Sequence, residues 1–280
     1  MISTNVYNSP RAACPAKFGT YRENLWGYKK RLEFIAEQIQ WHKRLRKTDH
    51  PSLLDVGCGN GTLVALPLAE MGYSVLGVDV DRASVEKAVS LNPFRHAQFR
   101  LLSTPGDLLC LGKFDVVICS EVLEHLPDPL ALLRAISQVV KDDGLVLVTT
   151  PNGYGPFEVE NYVLRKTRFL EFLVHCKRLI PGKPSPEASR DDRSLAISAT
   201  ENKSSLHVHF FRREPLLLLF ERAGFKCLEF RNSTVLGGSL SNALLRRWPR
   251  LLRWNARLAD HVPHFLASGW YFSLAKTQRA

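Results

Sequence analysis

The sequence predicts an α/β fold built around a parallel β-sheet that helices cover on both faces. Across residues 52–149, short apolar segments of strand length alternate with segments of helical periodicity. Strands that are apolar throughout are typical of parallel sheets, whose helical crossovers bury both faces. The chain has 280 residues, 45% of them hydrophobic and 23% charged, which is long enough for one large domain or two small ones.

The order of the predicted elements supports this fold. Apolar residues at helical spacing predict a first helix over 21–47, which Pro51 ends. Predicted strands follow at 52–56, 73–78, 98–102, 114–119 and 145–149, with helices at 62–71, 82–91 and 129–140. The charged stretch Lys141–Gly144 predicts a turn before the fifth strand. Beyond Pro151, the pattern predicts helices at 161–179, 215–223 and 240–262 and strands at 226–231 and 270–275.

Composition and cysteine usage exclude several classes of protein. No apolar run reaches the roughly 18 residues that a membrane-spanning helix needs. The six cysteines are scattered without a CxxC pair, which argues against a zinc cage or a disulfide framework. The N-terminal stretch MISTNVYNSPRAACP lacks the apolar core of a signal peptide, so we expect a cytoplasmic protein.

Positive charge is concentrated in the flanks of the chain rather than in its middle. The net charge is +11, yet residues 51–150 carry seven Lys or Arg against twelve Asp or Glu. Basic flanks are typical of contacts with nucleic acid, anionic lipid or phosphorylated substrates, and equally of a solvated cationic surface. Charge alone therefore leaves the partner open.

A glycine-rich loop follows the first predicted strand. Residues Leu53–Gly61 (LLDVGCGNG) end a strand, include an acidic side chain and lead into a helix. Glycines at this position let the backbone approach a ligand closely. Because the loop has no Lys and Asp55 is the nearby charge, it suits a cationic or hydroxyl-bearing ligand better than a phosphate. Asp79 follows the second predicted strand, where a carboxylate can bind both ribose hydroxyls.

These residues, together with Phe114–Pro129 (FDVVICSEVLEHLPDP), resemble a class I S-adenosylmethionine-dependent methyltransferase. The resemblance is close over 50–150 and loose over 205–235. It implies a Rossmann-like, doubly wound, mostly parallel sheet of seven strands with the last strand antiparallel, plus a helical cap and a basic C-terminal helical insertion. Residues Cys119–Pro129 closely resemble ubiquinone-pathway O-methyltransferases, and the chain also resembles methyltransferases of types 11 and 12.

The same resemblance divides the chain into four parts. It implies an N-terminal helical segment over 1–50, an S-adenosylmethionine-binding core over 51–150 and a cap or insertion over 151–205. Residues 206–280 would complete the methyltransferase fold, with a helical insertion at 240–266.

The cofactor residues of the family map onto eight positions of this sequence. The resemblance implies that three glycines pass under the methionine part of S-adenosylmethionine, that Asp55 lies near its amino group and that Asp79 binds its ribose. The backbone around Ser120 would border the sulfonium end. The full implied set is Asp55, Gly57, Cys58, Gly59, Gly61, Asp79, Val80 and Ser120.

Candidate catalytic side chains cluster where the fourth predicted strand enters its loop. Glu121, Glu124 and His125 lie within one helical turn at the carboxyl edge of the sheet, where open α/β folds bind ligands. A hydroxyl nucleophile needs such groups, because its proton has to be removed. His207 and His209 follow much later, and we expect one of them in the active site.

A divalent metal is the alternative interpretation of the same cluster. Small-RNA 2′-O-methyltransferases, which this ExxEH sequence also resembles, bind a metal with it and a later histidine. Glu121, Glu124 and His125 are therefore candidate ligands, although similar segments occur in many methyltransferases without a metal, and we favour a metal-free site.

Three functions fit these motifs. The first, which we favour, is O-methylation of a small-molecule, glycan or lipid-linked acceptor. The second is RNA 2′-O-methylation with a divalent metal, for which the sequence shows no separate RNA-binding module. The third is a non-catalytic cofactor-binding protein, against which the intact glycine loop and Asp79 argue.

The C-terminal tail carries a basic amphipathic pattern. Five arginines are interleaved with Leu and Trp over 240–262, at positions 246, 247, 250, 253 and 257. Such a stretch is typical of a helix at a membrane surface, and also of a helix packed on its own domain. The sequence therefore leaves open a peripheral contact with the inner face of a membrane.

Overall fold

The computed structural model describes residues 25–166, 208–245 and 247–277. Its sheet contains the strands β1 Leu53–Val56, β2 Val75–Asp79, β3 Ala97–Leu101, β4 Phe114–Ser120, β5 Val140–Pro151, β6 Phe225–Asn232 and β7 Gly269–Lys276. The helices are α1 Tyr28–Arg46, α2 Ala65–Glu70, α3 Arg82–Leu91, α4 Pro129–Val139, α5 Pro156–Lys166, α6 Arg213–Arg222, α7 Ser239–Leu245 and α8 Pro249–Leu258.

The sheet has the strand order β3-β2-β1-β4-β5-β7-β6. Neighbours from β3 to β5 pair in parallel, whereas β7 lies between β5 and β6 and runs antiparallel to both. The predicted Rossmann-like sheet of seven strands with an antiparallel last strand is therefore confirmed. The carboxyl ends of β1, β2, β4 and β5 all reach the same edge, which is where ligands bind in such sheets.

Helices cover both faces of the sheet, as the unbroken apolar strands predict. On one face, α1 and α2 pack on alternate strand residues such as Val116 and Ile118. On the other face, α4 and α6 pack on the intervening residues Val117 and Cys119. Because successive side chains of a strand point to opposite faces, each strand contributes to both cores.

The predicted turn at Lys141–Gly144 is wrong, because these residues are the irregular beginning of β5. Lys141 Nζ donates to Asp115 Oδ1 at 2.8 Å, which ties the segment to the start of β4. At Gly144, a Cβ would lie 2.9 Å from the carbonyl oxygen of Asp115. The glycine therefore permits close approach of two strands rather than a reversal of the chain.

The single helix predicted over 240–262 is also wrong, because the chain forms α7 and then α8. The reason is Pro249, which is the first residue of α8. The residue before a proline is pushed out of the helical region, and Trp248 accordingly has φ −130° and ψ 87°. The helix predicted over 161–179 begins earlier, at Pro156, and its part beyond Lys166 lies outside the described residues.

Candidate active site

A cavity of about 520 Å³ opens at the carboxyl edge of β1, β2, β4 and β5. Its lining includes seven of the eight predicted cofactor residues; Gly61 is the exception. Glu121, Glu124 and His125 also line it. The structure thus brings together in one cavity side chains that the sequence places on three separate strand ends.

The glycine loop leaves β1 in a conformation that excludes other residues. Gly57 has φ +73°, and a Cβ on it would lie 2.4 Å from Cγ2 of Val122. The amides of Gly57 and Cys58 donate to the carbonyl of Val78, at 2.8 and 3.0 Å, which anchors the loop to β2. The backbone therefore forms the floor of the cavity without a side chain in the way.

Asp79 is held rigidly at the end of β2. Its Oδ2 accepts a hydrogen bond from the Gly59 amide at 2.7 Å, and its Oδ1 accepts one from the Asp81 amide at 2.9 Å. A carboxylate oxygen can accept more than one hydrogen bond, so both oxygens keep capacity for a ligand.

Asp55 is a buried carboxylate on the cavity wall, with 2% of its surface exposed. Among the described residues, its Oδ2 has no hydrogen-bond partner. Burial, and then the negative charge of Asp79, raise the pKa of Asp55 to about 7. A cation bound beside Oδ2 would offset both effects, so the site is suited to a positively charged group.

Arg31, on α1, is a site residue that the sequence motifs do not identify. Its side chain is buried in the cavity wall, with Nη2 3.2 Å from Oε1 of Glu121 and the guanidinium 5.4 Å from the Tyr28 ring centre. Within the described part of the chain, its Nε has no hydrogen-bond partner. One feature of the sequence could have revealed Arg31: it is a charged residue next to Leu32, on the apolar face of the helix. A charged side chain on such a face is rarely buried unless it has a partner.

Glu121 has a backbone conformation that is unusual for its residue type. It is left-handed, with φ +56°, and its Oε1 accepts a hydrogen bond from the Thr149 hydroxyl at 2.9 Å. The Ser120 hydroxyl bonds to the same Thr149 oxygen at 2.9 Å. Together with Arg31, these contacts hold the loop after β4 in a strained form, as often occurs at functional sites.

Glu124 and His125 follow Glu121 in this loop and also line the cavity. Glu124 is 1% exposed, and its Oε2 accepts a 3.4 Å hydrogen bond from the Thr150 hydroxyl. Its Oε1 has no hydrogen-bond partner in the described ranges and lies 3.8 Å from Nε2 of His125. Burial, followed by the nearby Glu121 charge, raises the pKa of Glu124 well above its usual range, which favours the uncharged acid.

The two later histidines that the sequence suggests are placed differently. His207 lies outside the described residues. The ring of His209 does not line the cavity; its Nε2 lies 3.3 Å from the carbonyl of Pro127, and it stacks on Phe211. The amides of Val208 and His209 both donate to the carbonyl of Glu124, so this segment supports the loop after β4 from outside.

The candidate metal ligands do not form a metal site in the described ranges, where no group of three His, Cys, Asp or Glu could hold an ion. Instead, the Glu121 carboxylate contacts the Arg31 guanidinium and the Thr149 hydroxyl. The cationic partner of this carboxylate is therefore a residue of the chain itself.

The rest of the cavity has two chemically distinct ends. Near Asp79, the lining contains a second carboxylate, Asp81, and is otherwise mainly apolar, with Val80, Leu102, Thr104, Leu108, Leu126 and Leu132. Beyond Glu124, it combines aromatic with small and hydroxyl residues, namely Tyr28, Phe157, Ser233, Thr234, Gly237, Ser268, Gly269 and Tyr271. We call the second group the acceptor end. Of its members, the sequence suggests only Phe157, as one of several aromatic residues of the predicted cap that could form an acceptor pocket.

A comparison with protein families decides the class of the protein. A family model described as a methyltransferase domain matches residues 26–229. The chain belongs to the class I S-adenosylmethionine-dependent methyltransferases. This methyltransferase uses S-adenosylmethionine as its cofactor, and the buried Asp55 and the open glycine loop fit that ligand.

Curated relatives of the methyltransferase are named ubiquinone biosynthesis O-methyltransferase. The one from Ruegeria sp. is 36% identical over 134 residues, which are 44% of this chain and 52% of the relative. The one from Colwellia psychrerythraea is 30% identical over 186 residues, which are 63% and 61% of the two chains. The chain spans about half the length of most of the curated relatives it matches.

Solved structures confirm the fold of the methyltransferase. The CcbJ methyltransferase from Streptomyces caelestis aligns with a TM-score of 0.53 and 15% identity, covering 90% of each chain. An S-adenosylmethionine-dependent methyltransferase from Clostridium acetobutylicum aligns with a TM-score of 0.51 and 13% identity, covering 90% of this chain and 92% of the other. At such identities, the likeness concerns the fold alone.

Proposed function

We propose that this methyltransferase methylates an oxygen of a small-molecule, glycan or lipid-linked acceptor. One observation carries the proposal: three buried polar atoms on the cavity wall have no hydrogen-bond partner among the described residues. They are Arg31 Nε, Asp55 Oδ2 and Glu124 Oε1. Buried polar atoms are rarely left unpaired, so such a group marks where a polar ligand binds.

Two of these atoms match the amino-acid part of the cofactor. Asp55 would bind its ammonium group and Arg31 its carboxylate, while the glycine loop passes beneath. Asp79 would bind the ribose hydroxyls with the oxygens that the Gly59 and Asp81 amides orient. The apolar lining around Leu102 and Leu108 would enclose the adenine.

Replacing Asp79 with alanine is expected to weaken cofactor binding by about 1–3 kcal/mol, because the ribose loses hydrogen bonds to a charged group. Calorimetric titration with the demethylated cofactor measures the change. Asp79→Asn serves as a second variant, since it keeps one oxygen that can accept from the Gly59 amide. Equal affinity of all three proteins would remove Asp79 from the ribose site, and no binding by the wild type would overturn the whole assignment.

The bound cofactor supplies a methyl group activated by a sulfonium, so the residues of this chain mainly align the acceptor and handle its proton. His125 would accept the proton of the acceptor hydroxyl at Nε2. Glu124, as the uncharged acid, would donate a hydrogen bond from its carboxyl group to the oxygen of the same hydroxyl. The 3.8 Å between these two groups leaves room for one hydroxyl oxygen to contact both.

The acceptor end suits a hydroxylated molecule with an apolar body. Phe157 and Tyr28 offer aromatic surface, while Ser233 and Thr234 offer small polar side chains. The ubiquinone O-methyltransferase relatives support a small, lipid-linked acceptor of this kind.

Transfer of labelled methyl groups to fractionated cell extract, followed by mass spectrometry, tests the proposal. We expect label in a small hydroxylated or lipid-linked molecule, at an oxygen, with or without a chelator. Label in RNA that a chelator abolishes and magnesium or manganese restores would instead support the metal-dependent alternative. Cofactor binding without transfer to any fraction would favour a non-catalytic protein.

A peripheral membrane contact through the tail is part of the proposal. No helix in the described ranges is long and apolar enough to cross a membrane. Helix α8 buries Leu252 and Ala256, whereas Trp254 and Leu251 are 56% and 44% exposed beside three exposed arginines, at positions 250, 253 and 257. Arg246 lies outside the described residues. Exposed Trp and Leu among arginines match an anionic lipid surface in both polarity and charge.

Replacing Arg250, Arg253 and Arg257 with glutamine should release the protein from anionic vesicles, since each surface arginine contributes on the order of 1 kcal/mol. Cosedimentation measures binding, with phosphatidylcholine vesicles against vesicles that also contain phosphatidylglycerol. A variant with glutamine at three exposed arginines elsewhere, at positions 95, 134 and 222, has the same net charge. If both glutamine variants are released equally, binding depends on the total charge of the protein rather than on α8. If the wild type binds equally to vesicles with and without phosphatidylglycerol, the proposed membrane contact is contradicted.

A further inference from the structure

We infer that Glu160 is a positioning residue that holds the acceptor end of the cavity in shape. The carboxylate projects from α5 and contacts the first residues of α7. Its Oε1 accepts hydrogen bonds from the amides of Leu240 and Ser241, at 2.6 and 3.2 Å, and its Oε2 accepts one from the Ser241 hydroxyl. We call these contacts the Glu160 clasp; the inference rests on the proposed function of the cavity.

The clasp joins two helices that each carry one wall of the acceptor end. Phe157, which lines the cavity, is three residues before Glu160 and therefore lies on the same side of α5. Gly237, which also lines the cavity, is two residues before α7 begins. Loss of the clasp should therefore shift both Phe157 and Gly237, because each is within three residues of a helix end or side chain that the clasp holds.

Helix α5 has a second anchor at its other end. The Asn152 side chain donates to the carbonyls of Ala267 and Phe265, at 2.8 and 3.2 Å, which fixes the end of β5 to the segment before β7. Phe157 lies between this anchor and Glu160. The clasp ties α5 to α7 beyond Phe157, so this ring lies between two fixed points of the chain, and Leu164 adds apolar burial further along the helix.

The backbone at α7 is shaped to receive the carboxylate. A Cβ on Gly238 would lie 2.1 Å from Cδ of Glu160, so the carboxylate packs directly on the glycine backbone. Glu160 is half-buried, and three donors satisfy it. Its carboxylate is therefore committed to α7 rather than available to bind hydroxyls of an acceptor.

The clasp lies apart from the proposed cofactor residues. Asp55, Gly57 and Asp79 come from β1, β2 and the loop between them, which the clasp does not touch. A variant without the clasp should therefore bind cofactor normally and acceptor weakly. A merely structural role would lower both affinities or neither.

The test compares wild type with Glu160→Ala, Glu160→Gln and Ser241→Ala, with Glu221→Gln as a control at an exposed carboxylate on α6. Calorimetry measures affinity for the demethylated cofactor and, with that ligand saturating, for the probe 4-octylcatechol, a hydroxylated ring with an alkyl chain. Methyl transfer to the probe gives KM and kcat. We expect Glu160→Ala to weaken probe binding and raise KM at least fivefold, with cofactor affinity within twofold. Glu160→Gln, which keeps one acceptor oxygen, should recover part of the loss.

Hydrogen exchange of residues 156–166 and 237–245 gives a readout that needs no activity. Glu160→Ala, or Ser241→Ala if the first variant is unstable, should accelerate exchange there and leave 53–61 unchanged. Unchanged exchange, or unchanged probe affinity despite faster exchange, overturns the inference. A wild type that neither binds nor methylates the probe counts against the proposed acceptor class, while the exchange result still decides whether the clasp holds the two helices.

Discussion

Replacing His125 with alanine is expected to lower kcat by roughly 10²–10⁴-fold, the usual contribution of a general base. Cofactor affinity should change less than about twofold, because the His125 ring is next to Glu124 rather than among the proposed cofactor residues. Its side chain is 26% exposed and lines the cavity, so a proton taken from the acceptor can pass on to water.

Single-turnover methyl transfer, with the acceptor identified in extract, separates the chemical step from binding. His50→Ala provides the control, since His50 is exposed in the loop between α1 and β1 and does not line the cavity. Normal turnover by His125→Ala would assign this histidine to packing. A parallel loss of cofactor affinity would place it in the cofactor site instead.

Replacing Asp55 with asparagine is expected to have two opposite effects. Cofactor affinity should fall by roughly 10²-fold, because the proposed partner of the ammonium group loses its charge while it remains buried. The unliganded protein should become more stable at pH 8, because a buried charge without a partner is removed. Loss of function with a gain of stability is typical of residues that are placed for a ligand rather than for the fold.

The pH dependence of this stability follows from the pKa of Asp55, about 7 in the folded protein against 3.8 for an ordinary Asp. Between these values the folded protein retains a proton that the unfolded chain has released. The contribution of Asp55 to the free energy of unfolding therefore falls as pH rises from about 4 to 7. Above pH 7, the charged Asp55 lowers the free energy of unfolding by at most about 4 kcal/mol. Asparagine removes this charge, so the variant should gain several degrees in Tm at pH 8 and little at pH 4.

Thermal unfolding at pH 4, 6 and 8, with and without cofactor, measures both effects. Asp49→Asn is the matched control, since Asp49 is exposed before β1. In the wild type, cofactor affinity should weaken below about pH 7, where binding has to displace the Asp55 proton. A lower Tm for Asp55→Asn at pH 8 would show that the carboxylate stabilises the fold and would contradict this account.

Much of the fold could be predicted because its signals are local. Helix α3 occupies the predicted residues 82–91, and β1, β4 and β7 begin or end within one residue of their predicted bounds. Apolar strands and helical periodicity are properties of short segments, and tertiary contacts here reinforce them. The error at Lys141–Gly144 occurs where a contact between strands overrides the local turn pattern. The error at Trp248–Pro249 has a local cause, because the proline interrupts the helix that the apolar periodicity suggests.

The sequence by itself determined the methyltransferase class and the half of the cavity that Asp55, Gly57, Asp79 and His125 line. These residues lie at the carboxyl ends of parallel strands or in the loops that follow them, and those ends meet at one edge of the sheet. Only the tertiary structure decided the rest. Arg31 reaches the cavity because α1 packs across the sheet, and the acceptor end forms because β7 inserts between β5 and β6. Such contacts join residues that are far apart in the sequence, and no local periodicity encodes which of them meet.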